Sequence, residues 1–460
     1  MRILSRRCFT IMLGIIPTPQ VFAGFQPLPY HSTKRVCRFC AVSTGWITHD
    51  TLNLGFHDTI GSGVIGNNII SEEIKVMSPT PSSVERLLIR DRLVYIKRDD
   101  ALHLPYSNIS GNKGRKFLSL NNIPALDFPD VIVSYGGPQS NAMVALAAIV
   151  SSKNALLHNG QKPLDEDKEE IDYMMEPGIE PIKRFVYYTK KIPRYLRQNP
   201  NGNLLRAMAL GMDIRTLSHD KYDNLFGGLH GGSVMAPADL DPPLPGRSLW
   251  IPQGGACSIA QPGSDVLARE IVDFWSTNGK GMPLSVCLPG GTCTTALLLH
   301  RSIDSILKQW RKEEKYVLDI RVVVIPCVGD DEYAMRQMTS LNKSISGEKG
   351  RVEDMPWILK PRMDGSARRR STGYFTFGEP SKAIIDTFDE MNEEYGLFLD
   401  LLYGAPAFNL LLQHWTLRDA CPIAGRQIMY IHSGGLEGVA SQLTRYKHKG
   451  LIDARTIQIS

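Results

Sequence analysis

The sequence predicts an α/β fold whose strands are mostly parallel. Two recurrences carry that reading. Short β-branched runs at residues 131–135, 284–288 and 427–431 each lead into a glycine-rich turn and then a helical stretch. Residues 321–325 form an unbroken apolar run of the kind buried on both faces of a parallel sheet. In open sheets of this class ligands bind at the carboxyl ends of the strands, which is where the glycine turns fall.

Taken in order, the chain begins with a leader. Arg2, Arg6 and Arg7 make a basic start, residues 9–16 a short apolar core, and Val21-Phe22-Ala23 a small-residue cleavage site. The apolar core is too short to span a bilayer. Residues 24–49 contain no acid and are rich in Ser, Thr and basic residues, a transit-peptide composition. Residues 1–50 are therefore expected to direct the chain to a plastid or mitochondrion; without such a leader it would be cytoplasmic. Residues 51–78, Gly-rich and without period, are expected to be a linker.

At 460 residues, 43% hydrophobic and 22% charged, the chain can bury a large core in two or three domains. Six basic residues precede the first acid, Asp50, and the remainder carries 46 basic against 47 acidic residues. The net charge of +5 thus resides in the leader and leaves no nucleic-acid footprint. No later stretch suits a membrane helix. Cys37 and Cys40 form a C-x-x-C without a second pair at zinc-site spacing, so no metal is expected. Cys287 and Cys327 sit in apolar runs and read as buried small hydrophobes.

Order is expected from Pro79-Thr80-Pro81, with a helical stretch on Val84, Leu87 and Leu88 and a strand at 93–98. Asp99 and Asp100 lead into Ser110-Gly111-Asn112-Lys113-Gly114-Arg115-Lys116-Phe117. Two glycines bracket Lys113 just ahead of an apolar-periodic stretch, so a tight loop entering a helix aims its amine. Strand 131–135 runs into Gly136-Gly137-Pro138-Gln139, and Ser140-Asn141 open an alanine-rich helix through Ala148. Strand 284–288 runs into Pro289-Gly290-Gly291-Thr292 and a helix through Leu299. Strand 427–431 ends at His432-Ser433-Gly434-Gly435. Three segments interrupt the pattern and read as surface loops: 164–180, 219–247, and 344–372 with its solvated Arg368-Arg369-Arg370 run.

The chemistry begins at Lys113. A lysine becomes a covalent catalyst where its surroundings favour the neutral amine, the form that attacks an aldehyde to make a Schiff base. Lys116 reads as a charge on the helix face. Gly290, Gly291 and Thr292 lie at a helix N-terminus, where unpaired N–H groups and the helix dipole favour a phosphate, and the hydroxyls of Thr292 and Thr294 add donors. Gln139, Ser140 and Asn141 open a second helix, where they could clamp a carboxylate while Ser140 relays a proton. An ordinary N-cap would also explain Ser140.

Taken together, Ser-Gly-Asn-Lys-x-x-Lys, Tyr-Gly-Gly-x-Gln-Ser-Asn, Gly-Gly-Thr and His-Ser-Gly-Gly, in this order, resemble the 1-aminocyclopropane-1-carboxylate deaminase and D-cysteine desulfhydrase family, from about Val94 to about Tyr446. The resemblance implies a tryptophan synthase β-like fold, pyridoxal phosphate fold type II, with two open, twisted, mostly parallel sheets and helices on both faces. A large cofactor domain would comprise residues 79–128 and 248–460, and a smaller substrate-side domain residues 129–247. The implied cofactor is pyridoxal 5′-phosphate, the implied substrate a small amino acid, and the implied assembly a homodimer. Lys113 looks like the lysine that holds the cofactor, and Asn141 like the asparagine beside the pyridoxal hydroxyl. Ser140, with Gln139 beside it, is similar to the serine that touches the substrate carboxylate. Gly290, Gly291 and Thr292 match the phosphate loop, and Tyr403 resembles the tyrosine near the substrate amine.

Four positions depart from the family. Phe377 stands where deaminases carry a second tyrosine on the substrate side, and Gly404 where they carry a glutamate facing the pyridine nitrogen. Ala142 follows Ser-Asn where His or Gln is usual, and Ser433 replaces leucine or threonine. Without the glutamate, the nearest partner for the pyridine nitrogen would be the neutral Ser433 hydroxyl, and the ring would be a weaker electron sink. A weaker sink suffices when a good leaving group departs from the β-carbon. The expected activity is therefore D-cysteine desulfhydrase, giving pyruvate, ammonia and hydrogen sulfide. The cyclopropane deaminase activity and a cofactor-binding protein without turnover are the alternatives.

Overall fold

The computed structural model of the chain describes residues 80–453 except 159–181, 199, 228–239, 241–245, 314–317, 347–354, 363–372 and 417–420. The leader, the linker, the Cys37-Cys40 pair, the acidic segment 164–180 and the arginine run lie outside these residues. Every described residue belongs to one compact unit.

The first element corrects the expectation of a helix. Val84–Ile89 is a strand, β1, antiparallel to β2, Arg92–Lys97. Arg90 (φ 43°) and Asp91 (φ 62°) are both left-handed between them, as a two-residue type I′ hairpin turn requires. Leu87 and Ile89 turn inward while Leu88 is exposed, a two-residue period that a short apolar run cannot distinguish from a helical one. Helices α1 (Gly111–Lys116) and α2 (Leu118–Asn122) are separated at Phe117.

Strand β3 (Val131–Tyr135) is buried throughout, and α3 (Asn141–His158) continues well past Ala148. Then come β4 (Arg184–Lys190), α4 (Arg194–Gln198), α5 (Gly202–Ala209), β5 (Met212–Leu217), α6 (His219–Phe226) and β6 (Ser248–Ile251). Helix α6 occupies the start of an expected loop. Ser218 caps it by accepting from Lys221 N, and Tyr222 and Phe226, one turn apart, pack on Tyr135. The four strands form one parallel sheet in the order β5-β4-β3-β6, so the strand following residue 247 runs beside β3.

The remaining elements are α7 (Gln261–Asn278), β7 (Leu284–Gly290), α8 (Thr294–Lys312), β8 (Ile320–Pro326), α9 (Asp331–Ser346), β9 (Trp357–Ile358), α10 (Lys382–Tyr395), α11 (Gly404–Gln413), β10 (Gln427–Ile431) and α12 (Val439–His448). They complete a six-stranded sheet, β1-β2-β10-β7-β8-β9, parallel except for the β1 hairpin. Strand β9 lies inside the segment expected to be all loop; two residues are too few to show a period, and only pairing with Val323 and Val324 makes them a strand. Apolar clusters cover both faces of each sheet, one centred on Phe408 and Tyr430 and another on Trp275 and Val286 in the larger. Cys287 and Cys327 are buried, as expected. Among the described residues no helix is long and apolar enough to cross a membrane. The fold class is thus α/β, two open, mostly parallel sheets flanked by helices.

Candidate active site

Lys113 lies in the first turn of α1, and three contacts hold that turn. Gly111 takes φ +64°, and a Cβ there would stand 2.4 Å from the Ser433 carbonyl oxygen, so only glycine permits the approach. Next to it, Asn112 N donates to Ser433 O (3.0 Å), and Thr295 Oγ1 donates to Asn112 Oδ1 (2.6 Å). The loop after β10 and the start of α8 therefore both grip the residue before Lys113.

The third contact is ionic and was not anticipated. Arg115 is buried and donates from Nη1 to Glu270 Oε1 (2.7 Å) on α7 and from Nη2 to Asp99 Oδ1 (2.8 Å). Lys97 Nζ completes the network by donating to Glu270 Oε2 (2.6 Å) and to Ser82. Burial by itself would raise the Asp99 carboxyl, but Arg115, helped by Lys97 and the Ser82 hydroxyl, holds it below the usual carboxylate range. The hint in sequence was Lys97, a charged residue closing a strand whose centre, residues 93–96, is apolar.

Lys113 itself is half-buried, and loss of solvation pushes its ammonium down to about 8, with no carboxylate beside it to reverse the shift. Lys116 corrects its reading as a surface charge. It is 4% exposed, and its Nζ donates to Gly254 O (3.0 Å) and Thr292 Oγ1 (3.3 Å). Residues three apart share a helix face, so a site that receives Lys113 receives Lys116 also. Loss of solvation, then the charge of Lys113, push the Lys116 ammonium well below its ordinary value.

Gly290, Gly291 and Thr292 connect β7 to α8, with Cys293 left-handed at the helix cap and Thr292 Oγ1 hydrogen-bonded to Thr294 Oγ1 (2.8 Å). The Tyr403 ring lies against the Gly291 backbone, and burial raises its phenol, which keeps its proton. Phe377 stands 5.4 Å from that ring, centroid to centroid, and is 43% exposed. Asp400, which the sequence reading overlooked, is buried and accepts from the backbone N–H groups of Leu402 (2.9 Å), Tyr403 (2.8 Å) and Gly404 (2.8 Å). An Asp four residues before a helix start was its signal. Burial raises its carboxyl despite these donors. At Gly404 a Cβ would meet Asp400 Oδ2 at 3.0 Å and Leu399 Cβ at 3.1 Å, so a larger residue there would have to displace its neighbours.

The start of α3 faces these loops. Ser140 Oγ accepts from Met143 N (3.4 Å), the N-cap arrangement, and its hydroxyl meets the Tyr187 phenol. Gln139, expected to bind a carboxylate, has both ends of its amide engaged: Nε2 donates to Asn201 O (3.1 Å) and Oε1 accepts from Asn203 N (2.9 Å). Asn141 Oδ1 accepts from Asn203 Nδ2 (2.6 Å). Ser433 contributes the carbonyl that receives Asn112, and its own side chain is half-buried. His432 Nδ1 meets Gly434 N (3.3 Å) and its Nε2 lies 2.7 Å from Phe398 O, two contacts that shape the glycine turn.

Asn141, Asp400 and Gly435 thus line a narrow cleft between the loops of the two sheets. A separate groove of about 1090 Å³ lies between α9 and β9, and none of the predicted site residues lines it.

No family model matches the sequence, and no curated protein matches it. Solved structures do. A crystal structure of an ACC deaminase homologue is 19% identical, with a TM-score of 0.52, and the match covers 81% of this chain and 94% of that one. A fungal L-serine ammonia-lyase from Rhizomucor miehei is 11% identical with a TM-score of 0.45, the match covering 81% of this chain and 98% of that one. The fold assignment rests on the first: the chain shares the α/β architecture of that homologue, two open, mostly parallel sheets flanked by helices.

Proposed function

We propose that the chain is a pyridoxal 5′-phosphate-dependent lyase that eliminates the β-substituent of a small amino acid, with D-cysteine as substrate. One observation carries the reading: two lysines on one face of α1, Lys113 half-buried without a carboxylate beside it and Lys116 buried against the loop that opens α8. A solvated face would leave such amines charged; here both are pushed toward the neutral form, and an anion beside Thr292 would hold Lys116 charged while Lys113 stays reactive.

The donor set fits the cofactor. Lys116 Nζ, the N–H groups opening α8 and the hydroxyls of Thr292 and Thr294 suit a phosphate, and Lys113 Nζ suits its aldehyde. Bound there, pyridoxal phosphate supplies delocalisation for an electron pair left at the substrate α-carbon. Lys113 Nζ accepts the α-proton, and Ser140 Oγ, within reach of the Tyr187 phenol, orients the substrate carboxylate. Tyr403, protonated, donates toward the substrate amine. Asn141 holds the ring hydroxyl. The overall change balances as D-cysteine plus water to pyruvate, ammonia and hydrogen sulfide. The crowded backbone at Gly404 and the missing hydroxyl at Phe377 support loss of a thiolate over opening of a cyclopropane ring.

Purified protein with added pyridoxal phosphate is expected to be yellow and to release sulfide and pyruvate from D-cysteine. L-cysteine, D-serine and 1-aminocyclopropane-1-carboxylate are the comparison substrates. A coloured protein inactive on all four would assign a binding role, which the departures at Phe377 and Gly404 also suit; a colourless one would overturn both readings. Lys116→Met is expected to weaken pyridoxal phosphate binding about 10- to 100-fold, the loss of one charge-assisted hydrogen bond, measured by fluorescence titration. The homodimer and organelle location remain part of this proposal; light scattering and N-terminal sequencing of the mature protein test them.

A further inference from the structure

We propose that Asn203 is a positioning residue that fixes the amide of Asn141 with its NH2 group turned into the cleft, so that position 141 acts there as a hydrogen-bond donor. Hydrogen-bond polarity identifies the atoms. The Asn203 side chain meets two groups through one end, Gln139 O at 3.1 Å and the Asn141 amide at 2.6 Å. Gln139 O is a backbone carbonyl and can only accept, so the end that meets it is Nδ2. A donor at 2.6 Å from the Asn141 amide requires an acceptor there, so that atom is Oδ1. The Asn141 NH2 must then face away from Asn203. It points toward Gly435, 3.2 Å from where a Cβ on that residue would stand, in the cleft that Asn141, Asp400 and Gly435 line.

Asn203 is itself held firmly enough to impose this choice. Its side chain is 6% exposed, and its backbone N donates to Gln139 Oε1 at 2.9 Å. The residue before it, Gly202, takes φ +55°, and a Cβ there would meet Gln139 Oε1 at 2.8 Å. The start of α5 therefore closes directly onto the start of α3 and leaves Asn141 one hydrogen-bonded orientation.

The consequence rests on the functional reading above, in which the ligand is pyridoxal phosphate. A donor facing the ring hydroxyl stabilises its ionised oxygen; an acceptor in the same place favours the neutral one. Asn203→Asp is nearly isosteric but can only accept, so the Asn141 amide must turn its NH2 toward it and present Oδ1 to the cleft.

The test titrates the visible absorption band of the cofactor-loaded protein against pH and measures pyridoxal phosphate affinity. Asn203→Asp is expected to raise the apparent pKa of the band by about one unit and weaken binding about 10-fold, with far-UV circular dichroism unchanged. In an Asn141→Ala background the same substitution is expected to move both readouts much less than it does in wild type, the remainder coming from the added charge and the lost bond to Gln139 O. Should Asn203→Asp not fold, Asn203→Ala replaces it in the same cycle, with smaller shifts in the same sense. A folded variant with the band and affinity of wild type, or effects equally large without the Asn141 amide, would overturn the inference. A wild type with no visible band would overturn the cofactor reading itself, and the inference with it.

Discussion

Lys113→Ala is expected to abolish the yellow colour and lower turnover by at least about 10³-fold, the scale of losing a positioned proton acceptor together with the covalent anchor. The same residue predicts a pH dependence. Its ammonium is pushed down to about 8 in the folded chain from an ordinary value of 10.5. The rate of colour formation with added pyridoxal phosphate should therefore climb as pH rises toward 8 and level off above it, because only the neutral amine reacts.

Stability should move with it, and the sign follows from proton counting. Between about 8 and 10.5 the unfolded chain binds more protons at this position than the folded chain, so stability rises with pH across that window. Below it the full cost of enclosing the charge is present. Lys113→Met, which keeps the stem and removes the charge, is expected to melt higher than wild type at pH 7, with the difference shrinking toward pH 10. A difference that stays constant over that range would show that the amine is solvated in the folded protein.

Glu270→Gln is expected to destabilise the chain by about 3–5 kcal/mol, seen as a lower denaturant midpoint. The mechanism is charge left without a partner. Glu270 accepts from Arg115 at 2.7 Å and from Lys97 at 2.6 Å, and without it two enclosed cations share Asp99 alone. Asp99 is held low because Arg115, Lys97 and Ser82 together outweigh its burial, so its contribution is complete above a pH of about 4 and is lost only as pH falls through its lower folded value. Arg115 lies two residues beyond Lys113, so Glu270→Gln should also loosen α1 and weaken cofactor affinity. Unchanged affinity in a folded variant would show that Asn112 and Ser433 hold Lys113 without help.

Much of the framework that carries the candidate site was legible in the sequence. The order of strand, glycine turn and helix could be read because each unit is local, its apolar period and its turn residues lying within twenty positions. Lys113, the Gly290–Thr292 turn and Ser140-Asn141 stood out for the same reason, as helix starts with distinctive donors. Two errors came from short runs: β1 and β9 are strands because Arg92–Lys97 and Ile320–Pro326 pair with them, and their own residues carry too few positions to show a period.

Sequence alone thus determined the α/β class and the residues at the carboxyl ends of its strands, since both follow from local periodicity and backbone chemistry. Only the tertiary structure decided what those residues face. Lys116 meets Thr292 across 176 positions, Arg115 meets Glu270 across 155, and Asn141 meets Asn203 across 62. A helix shows in its sequence which face is apolar, but not which distant segment will cover a charge on that face. Burial, and with it the protonation of Lys113 and Lys116 and the orientation of Asn141, is settled only when the two sheets bring their loops together.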